Sequence, residues 1–266
     1  LPRSLLDDLD RHGFFDQPRQ SEPEQHTVAF QLTNDCNLAC SYCCTNSGCA
    51  RNDELTFDEF KEVVVAAKKH VSGNGTITLL GGEPFLVPWA IDLAEYIIDL
   101  GLNLQIYTNG TLHATDDDLA RRTAAITKRG ADVRISLAGP TAELCDAVSG
   151  APRFDRVIEG VQNIVEHAGR VKVDLLLLPE HVDAVSKHLP ELRRALPEGV
   201  PLSMGLLYIS GRERGKRTFQ SRAKLESALD KIALEAGVAI RGADTDPKTF
   251  RREGCSCAMG HHLPGE

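Results

Sequence analysis

The chain of 266 residues contains no apolar run long enough to cross a bilayer, which removes the membrane-spanning helix from consideration. Its start does not read as a secretory signal either, since Leu1-Pro2-Arg3-Ser4-Leu5-Leu6 runs straight into Asp7-Asp8. It has no excess of basic residues: the net charge of -8 argues against a nucleic acid as the main partner. No repeat of solenoid type is present. The eight cysteines are not spread as a disulfide framework would be, but crowd into residues 36–49 and 255–257, with Cys145 apart. This usage suits metal or cluster ligands and predicts a reducing, cytoplasmic setting. What the chain does have is 42% hydrophobic and 26% charged residues, enough for one large globular domain.

Three divisions are expected. Residues 1–25 read as an N-terminal helix, Ser4 to His12 with a stop at Gly13, and a Pro-, Gln-, Ser- and Glu-rich linker. The helix is similar to the last helix of a small winged-helix peptide-recognition module. Residues 26–215 form the core, and 216–266 a C-terminal helix and extension. Within the core, strand-like runs (Val28–Leu32, Thr76–Leu80, Leu102–Tyr107, Val133–Leu137, Val171–Leu178, Leu202–Ile209) alternate with helical patterns. The first helix follows a capping box at Thr56 and Glu59; the others cover Trp89–Leu100, Asp116–Arg129, Arg156–His167 and Val182–Ala195. Such alternation predicts an α/β fold with a parallel sheet buried on both faces, wound into a barrel or partial barrel.

The chemistry concentrates where strands end. Cys36-Asn37-Leu38-Ala39-Cys40-Ser41-Tyr42-Cys43 follows the first strand with C-x3-C-x2-C spacing. Three thiolates in one loop can hold a four-iron cluster with one iron left open; a zinc knuckle or a disulfide pair uses the same residue type. Gly81-Gly82-Glu83-Pro84 follows the second strand, Thr108-Asn109-Gly110-Thr111 the third, and Ser136 ends the fourth. The carboxyl ends of parallel strands are where barrels of this kind build their sites.

Together, the cysteine spacing, the aromatic Tyr42 before Cys43 and the Gly-Gly-Glu-Pro run resemble the radical S-adenosylmethionine (SAM) enzymes, over about His26 to Tyr208. The resemblance implies a partial (β/α)6 TIM-like barrel. Cys36, Cys40 and Cys43 then hold a [4Fe-4S] cluster whose open iron binds SAM through its amine and carboxylate. Reductive cleavage of SAM yields a 5'-deoxyadenosyl radical that abstracts hydrogen from substrate. Gly81, Gly82 and Glu83 receive the methionyl ammonium, Tyr42 shields the cluster, and Ser136 hydrogen-bonds SAM. An arginine of Pro152-Arg153-Phe154-Asp155-Arg156, assigned to Arg156, reaches the carboxylate. Where many relatives carry aspartate, this chain has Ala138. Cys44 and Cys49 read as small buried residues or spare thiols, and Cys145 as a buried hydrophobe.

Beyond the core, Tyr208-Ile209-Ser210-Gly211-Arg212 and Cys257-Ala258-Met259-Gly260 resemble enzymes with a SPASM or twitch extension, with Cys255 a second candidate ligand. This implies one or more auxiliary iron–sulfur clusters, to which two thiolates alone are insufficient. The expected activity is modification of a ribosomally made precursor peptide, with a flavodoxin or ferredoxin as electron donor. The rival readings are a sulfatase-maturase-like formation of formylglycine, a radical SAM enzyme acting on a small metabolite or tetrapyrrole, and an iron–sulfur or zinc-binding interaction protein.

Overall fold

The computed structural model describes residues 27–69, 71, 75–206, 211–213, 228, 232 and 239–240. They form strands β1 (Thr27–Gln31), β2 (Thr76–Leu80), β3 (Asn103–Thr108), β4 (Asp132–Leu137), β5 (Val171–Leu177), β6 (Leu202–Leu206) and β7 (Ala239–Ile240). The helices are α1 (Phe57–Lys68), α2 (Ala90–Asp99), α3 (Asp117–Lys128), α4 (Ala142–Ser149), α5 (Phe154–Glu166) and α6 (Val182–Ala195). Every strand pairs in parallel with its successor, giving a seven-stranded sheet in the order β1 to β7. Right-handed crossovers repeated in one direction put the helices on one face and curl the sheet around the other, the partial barrel expected.

Local signals account for the helices. The capping box forms as read: Thr56 Oγ1 accepts from the Glu59 amide and Glu59 accepts from the Thr56 amide. Phe60, Val64 and Ala67, at helical spacing, carry α1 into the core. On α5, Val157, Ile158, Val161 and Ile164 do the same. This helix begins at Phe154, so Arg156 lies in its first turn, and the short α4 precedes it as a separate element.

The sheet departs from the expectation in one respect. Along β4 the buried Val133, Ile135 and Leu137 alternate with the partly exposed Asp132, Arg134 and Ser136. By strand periodicity and register, Gln105, Asp132, Arg134, Lys172, Asp174 and Ser203 share the concave face. There Asp132 accepts from Gln105 Nε2 at 3.0 Å and pairs with Arg134 at 2.9 Å and Lys172 at 2.9 Å. Arg134 reaches Asp174 at 3.5 Å, and Ser203 Oγ donates to the same carboxylate. The helix-facing side is the apolar core; the inner side, across β3 to β6, carries this network of polar and charged groups beside apolar residues such as Leu176. No helix among the described residues is long and apolar enough to cross a membrane.

Candidate active site

The cysteine loop lies across the carboxyl ends of the strands, tied down by several elements. From the turn after β2, Gly82 N–H donates to the Thr33 carbonyl and Glu83 N–H to the Asp35 carbonyl, both at 2.8 Å. A Cβ on Gly82 would stand 2.0 Å from the Asp35 oxygen and 2.8 Å from Cys36 Cβ, so only glycine permits this approach. From the turn after β3, Asn109 donates to Asn37 at 2.8 Å, and Asn37 to Thr111 Oγ1 at 2.9 Å. The end of α4 accepts from the Ala39 and Ser41 amides through the Ser149 and Val148 carbonyls. Glu54 accepts from Thr33 Oγ1 at 2.8 Å and from the Asn34 amide at 2.6 Å.

Cys36, Cys40 and Cys43 are unpaired and partly exposed. Burial pushes the Cys36 thiol up to about 11, with the charges of Glu83, Cys40 and Cys43 adding to the rise against a hydrogen bond from Leu38. Burial also works against the Cys43 thiolate. Hydrogen bonds from Thr45 Oγ1 at 3.4 Å and the Ser47 amide at 3.3 Å, with the Arg212 charge, outweigh it and bring that pKa down. No three His, Cys, Asp or Glu side chains among the described residues converge closely enough to hold a single metal ion. A four-iron cube makes a different demand, because its thiolates ligate separate irons. Three free thiols on one braced loop, with sulfur-directed donors and a glycine cradle behind Cys36, fit that group.

Glu83 is fully buried. Its carboxylate accepts from Thr108 Oγ1 at 2.7 Å, the Asn109 amide at 2.7 Å and the Phe85 amide at 3.2 Å. Burial raises its pKa to about 7, against the pull of those bonds and of the Arg153 charge. It thus locks the turn after β2 to the turn after β3, a task that the motif by itself did not disclose. Ser136 lies on the concave face at the end of β4, and its carbonyl accepts from Arg153 at 2.9 Å. Arg153, 2% exposed, also reaches Cys145 Sγ at 3.4 Å. Burial works against its charge, but the electrostatic pull of Tyr42, Cys145 and Cys40 outweighs that and raises its pKa. Burial raises the Tyr42 phenol as well. Arg156 instead points its guanidinium to the Thr111 carbonyl at 3.5 Å.

Sequence reasoning brought together Cys36, Cys40, Tyr42, Cys43, Gly81, Gly82, Glu83 and Ser136, and the structure places them on one rim. It passed over the bracing roles of Asn37, Glu54 and Arg212, although Asn37 lies in the cysteine motif and Arg212 ends the Tyr208–Arg212 run. Cys145 is buried as expected, and Cys49 is an exposed free thiol, the second of its two expected readings. Tyr208, Cys255 and Cys257 lie outside the described residues.

Fold and site thus define a parallel α/β partial barrel with a three-cysteine loop at its carboxyl rim. The profile of the radical SAM superfamily matches residues 30–189, and the chain belongs to that superfamily. Membership implies a [4Fe-4S] cluster and SAM as cofactors. Mycofactocin maturase MftC of Mycobacterium tuberculosis is 31% identical over 157 residues, which are 58% of this chain and 38% of the relative. The AdoMet-dependent heme synthase of Oleidesulfovibrio alaskensis is 26% identical over 219 residues, 76% of this chain and 54% of the relative. The structure of Streptococcus suis SuiB bound to precursor peptide SuiA aligns with a TM-score of 0.63 at 16% identity. It covers 91% of this chain and 53% of that one, and shows the shared fold. The chain spans less than two thirds of the length of these relatives.

Proposed function

We propose that this chain is the core of a radical SAM maturase acting on a ribosomally made precursor peptide, to introduce a crosslink or an oxidative modification. The observation that carries the substrate class is the 31% identity to a mycofactocin maturase over 157 residues. The fold shared with SuiB, captured with its precursor peptide, agrees with it.

Cys36, Cys40 and Cys43 would hold the cluster, and the brace from β2 keeps Cys36 against the Gly81-Gly82 backbone. When bound, the cluster and SAM supply one-electron cleavage of the sulfonium and hydrogen-atom abstraction from an unactivated carbon. The chain's own part is to bind, orient and exclude water. Gly81, Gly82 and Glu83 form the cradle for the methionyl ammonium, with Glu83 holding the backbone in place from beneath. Ser136 offers its hydroxyl from the concave face. Arg153 is the better-placed cation for the methionyl carboxylate, because it is buried beside Tyr42, Cys40 and Ser136 while Arg156 faces Thr111. Tyr42 covers the cluster side. The electron donor is a flavodoxin or ferredoxin, and Cys255 and Cys257 contribute to an auxiliary cluster with further ligands.

A second reading is favoured by one observation: the similarity to a heme synthase extends over 76% of this chain, further than that to the maturase. It makes the substrate a tetrapyrrole. Anaerobic reconstitution with iron, sulfide, SAM and a strong reductant should yield 5'-deoxyadenosine. Offering a precursor peptide encoded beside the gene then separates the readings: a mass-shifted peptide supports the first, and turnover of a modified heme precursor with the peptide unchanged refutes it.

A further inference from the structure

One group at the cysteine loop comes from the opposite end of the barrel. After β6 the chain returns through a single helical turn, Gly211–Glu213, and Arg212 lies against the loop. Its amide donates to the Cys43 carbonyl at 2.9 Å. Its guanidinium forks, one nitrogen donating to the Cys40 carbonyl at 2.9 Å and the other to the Ser47 carbonyl. Gly211 makes the approach possible, since a Cβ there would stand 2.3 Å from the Cys43 oxygen and 2.4 Å from that of Cys44. Three carbonyls of the loop, from Cys40 through Ser47, are thus taken by one residue 172 positions further along the chain than Cys40. Among the described residues, the other braces come from elements preceding β5. The far end of the loop is tied back at Gly48, which bridges to Asn34 and Cys36, and Arg212 grips the stretch between, from Cys40 to Ser47.

We propose that Arg212 is a positioning residue that latches the cysteine loop across the open edge of the partial barrel and fixes the two later thiolates for cluster retention. The argument is geometric: a planar guanidinium spans two carbonyls at once, which a single ammonium cannot. Removing the side chain takes away the two guanidinium donors, from the Cys40 and Ser47 carbonyls, while the backbone amide at 212 stays on Cys43, and it loosens the hold on the spacing of Cys40 and Cys43. This inference rests on the cluster assignment of Cys36, Cys40 and Cys43.

The test is iron retention by the full chain after anaerobic reconstitution, followed under a chelator, with the low-temperature EPR spectrum of the reduced state recorded with and without SAM. Arg212→Ala should release iron about tenfold faster or more, the loss expected from one or more charge-assisted hydrogen bonds. Its EPR signal should broaden, while iron-free protein unfolds within a few degrees of wild type. Arg212→Lys keeps the charge but not the fork, and should recover the EPR line shape better than the retention; Arg212→Gln, a mild variant, should fall between Ala and wild type. Wild-type release rates and an unchanged spectrum in Arg212→Ala overturn the proposal. So does a large drop in iron-free stability with no separate effect on iron, which makes Arg212 a general strut. Full recovery of retention by Lys refutes the fork. Cys40→Ala is the control: if wild type itself binds no more iron than this variant, the cluster assignment fails and the latch with it.

Discussion

Replacing Gly82 by alanine probes the contact on which the site depends most. The added Cβ would lie 2.0 Å from the Asp35 carbonyl oxygen and 2.6 Å from its carbonyl carbon. Against ordinary contact from 3.4 Å, the shortfall at the oxygen is roughly 1.4 Å, and both partners are backbone, with no flexible side chain to swing away. The turn after β2 must therefore retreat from the loop. Retreat lengthens the Gly82 N–H to Thr33 and Glu83 N–H to Asp35 hydrogen bonds, now 2.8 Å each. Overpacking of about 1–3 kcal/mol and about 1 kcal/mol for each weakened bond give a loss of about 3–5 kcal/mol. Since Asp35 precedes Cys36, the displacement carries straight to the first thiolate. Urea unfolding of the iron-free chain, followed by circular dichroism, measures the first effect, and iron content after reconstitution the second. A variant within about 0.5 kcal/mol of wild type with full iron would refute the close-approach argument. Lost stability with full iron would refute only the coupling between turn and thiolate.

Cys40→Ala should abolish iron–sulfur absorbance together with SAM cleavage, and retained cleavage would sink the assignment of the loop. Arg153→Gln should weaken SAM binding about tenfold or more, read from the SAM-induced change in the cluster EPR spectrum, whereas Arg156→Gln should leave it near wild type. The reverse result would return the carboxylate contact to Arg156. His113, fully buried with Nε2 3.0 Å from Thr123 Oγ1, has its pKa lowered by burial from 6.5 to about 4, with the Gly110 backbone and Asp116 acting against the fall. Its unfolded form takes a proton that the folded form refuses, so stability should fall from about pH 6.5 toward pH 4, by about 3 kcal/mol in all. Glu83 acts in the opposite sense, because its raised pKa gives a contribution present at low pH and lost as pH rises through about 7. The His113 component must accordingly be read as the difference between wild type and His113→Asn in urea unfolding at pH 7, 6 and 5; a difference independent of pH would refute it.

Much of this protein was legible in its sequence because it is written locally. Each of β1 to β6 is five to seven residues of consistent pattern, and the capping box at Thr56 and Glu59 spans four. Three cysteines within eight residues and a Gly-Gly-Glu-Pro run specify donor type and spacing without reference to the rest of the chain. That is why the alternating elements, the carboxyl-rim site and the superfamily could all be read from the amino acids. Tertiary structure decided what depends on residues far apart. Arg153 and Arg156 stand three positions apart on the same stretch, and only the packing of α4 and α5 turns Arg153 toward Ser136 and Arg156 toward Thr111. Glu83 reads as a ligand for a cation, yet the donors that surround it come partly from Thr108 and Asn109, 25 and 26 residues later. The polar inner face of the sheet could not be told from a buried one by alternation alone, because curvature determines how much of it water reaches. Arg212 is the extreme case. The run Tyr208-Ile209-Ser210-Gly211-Arg212 marks a family resemblance but not this contact, which exists only because a one-directional parallel sheet curls until the chain after its sixth strand meets the loop that follows its first.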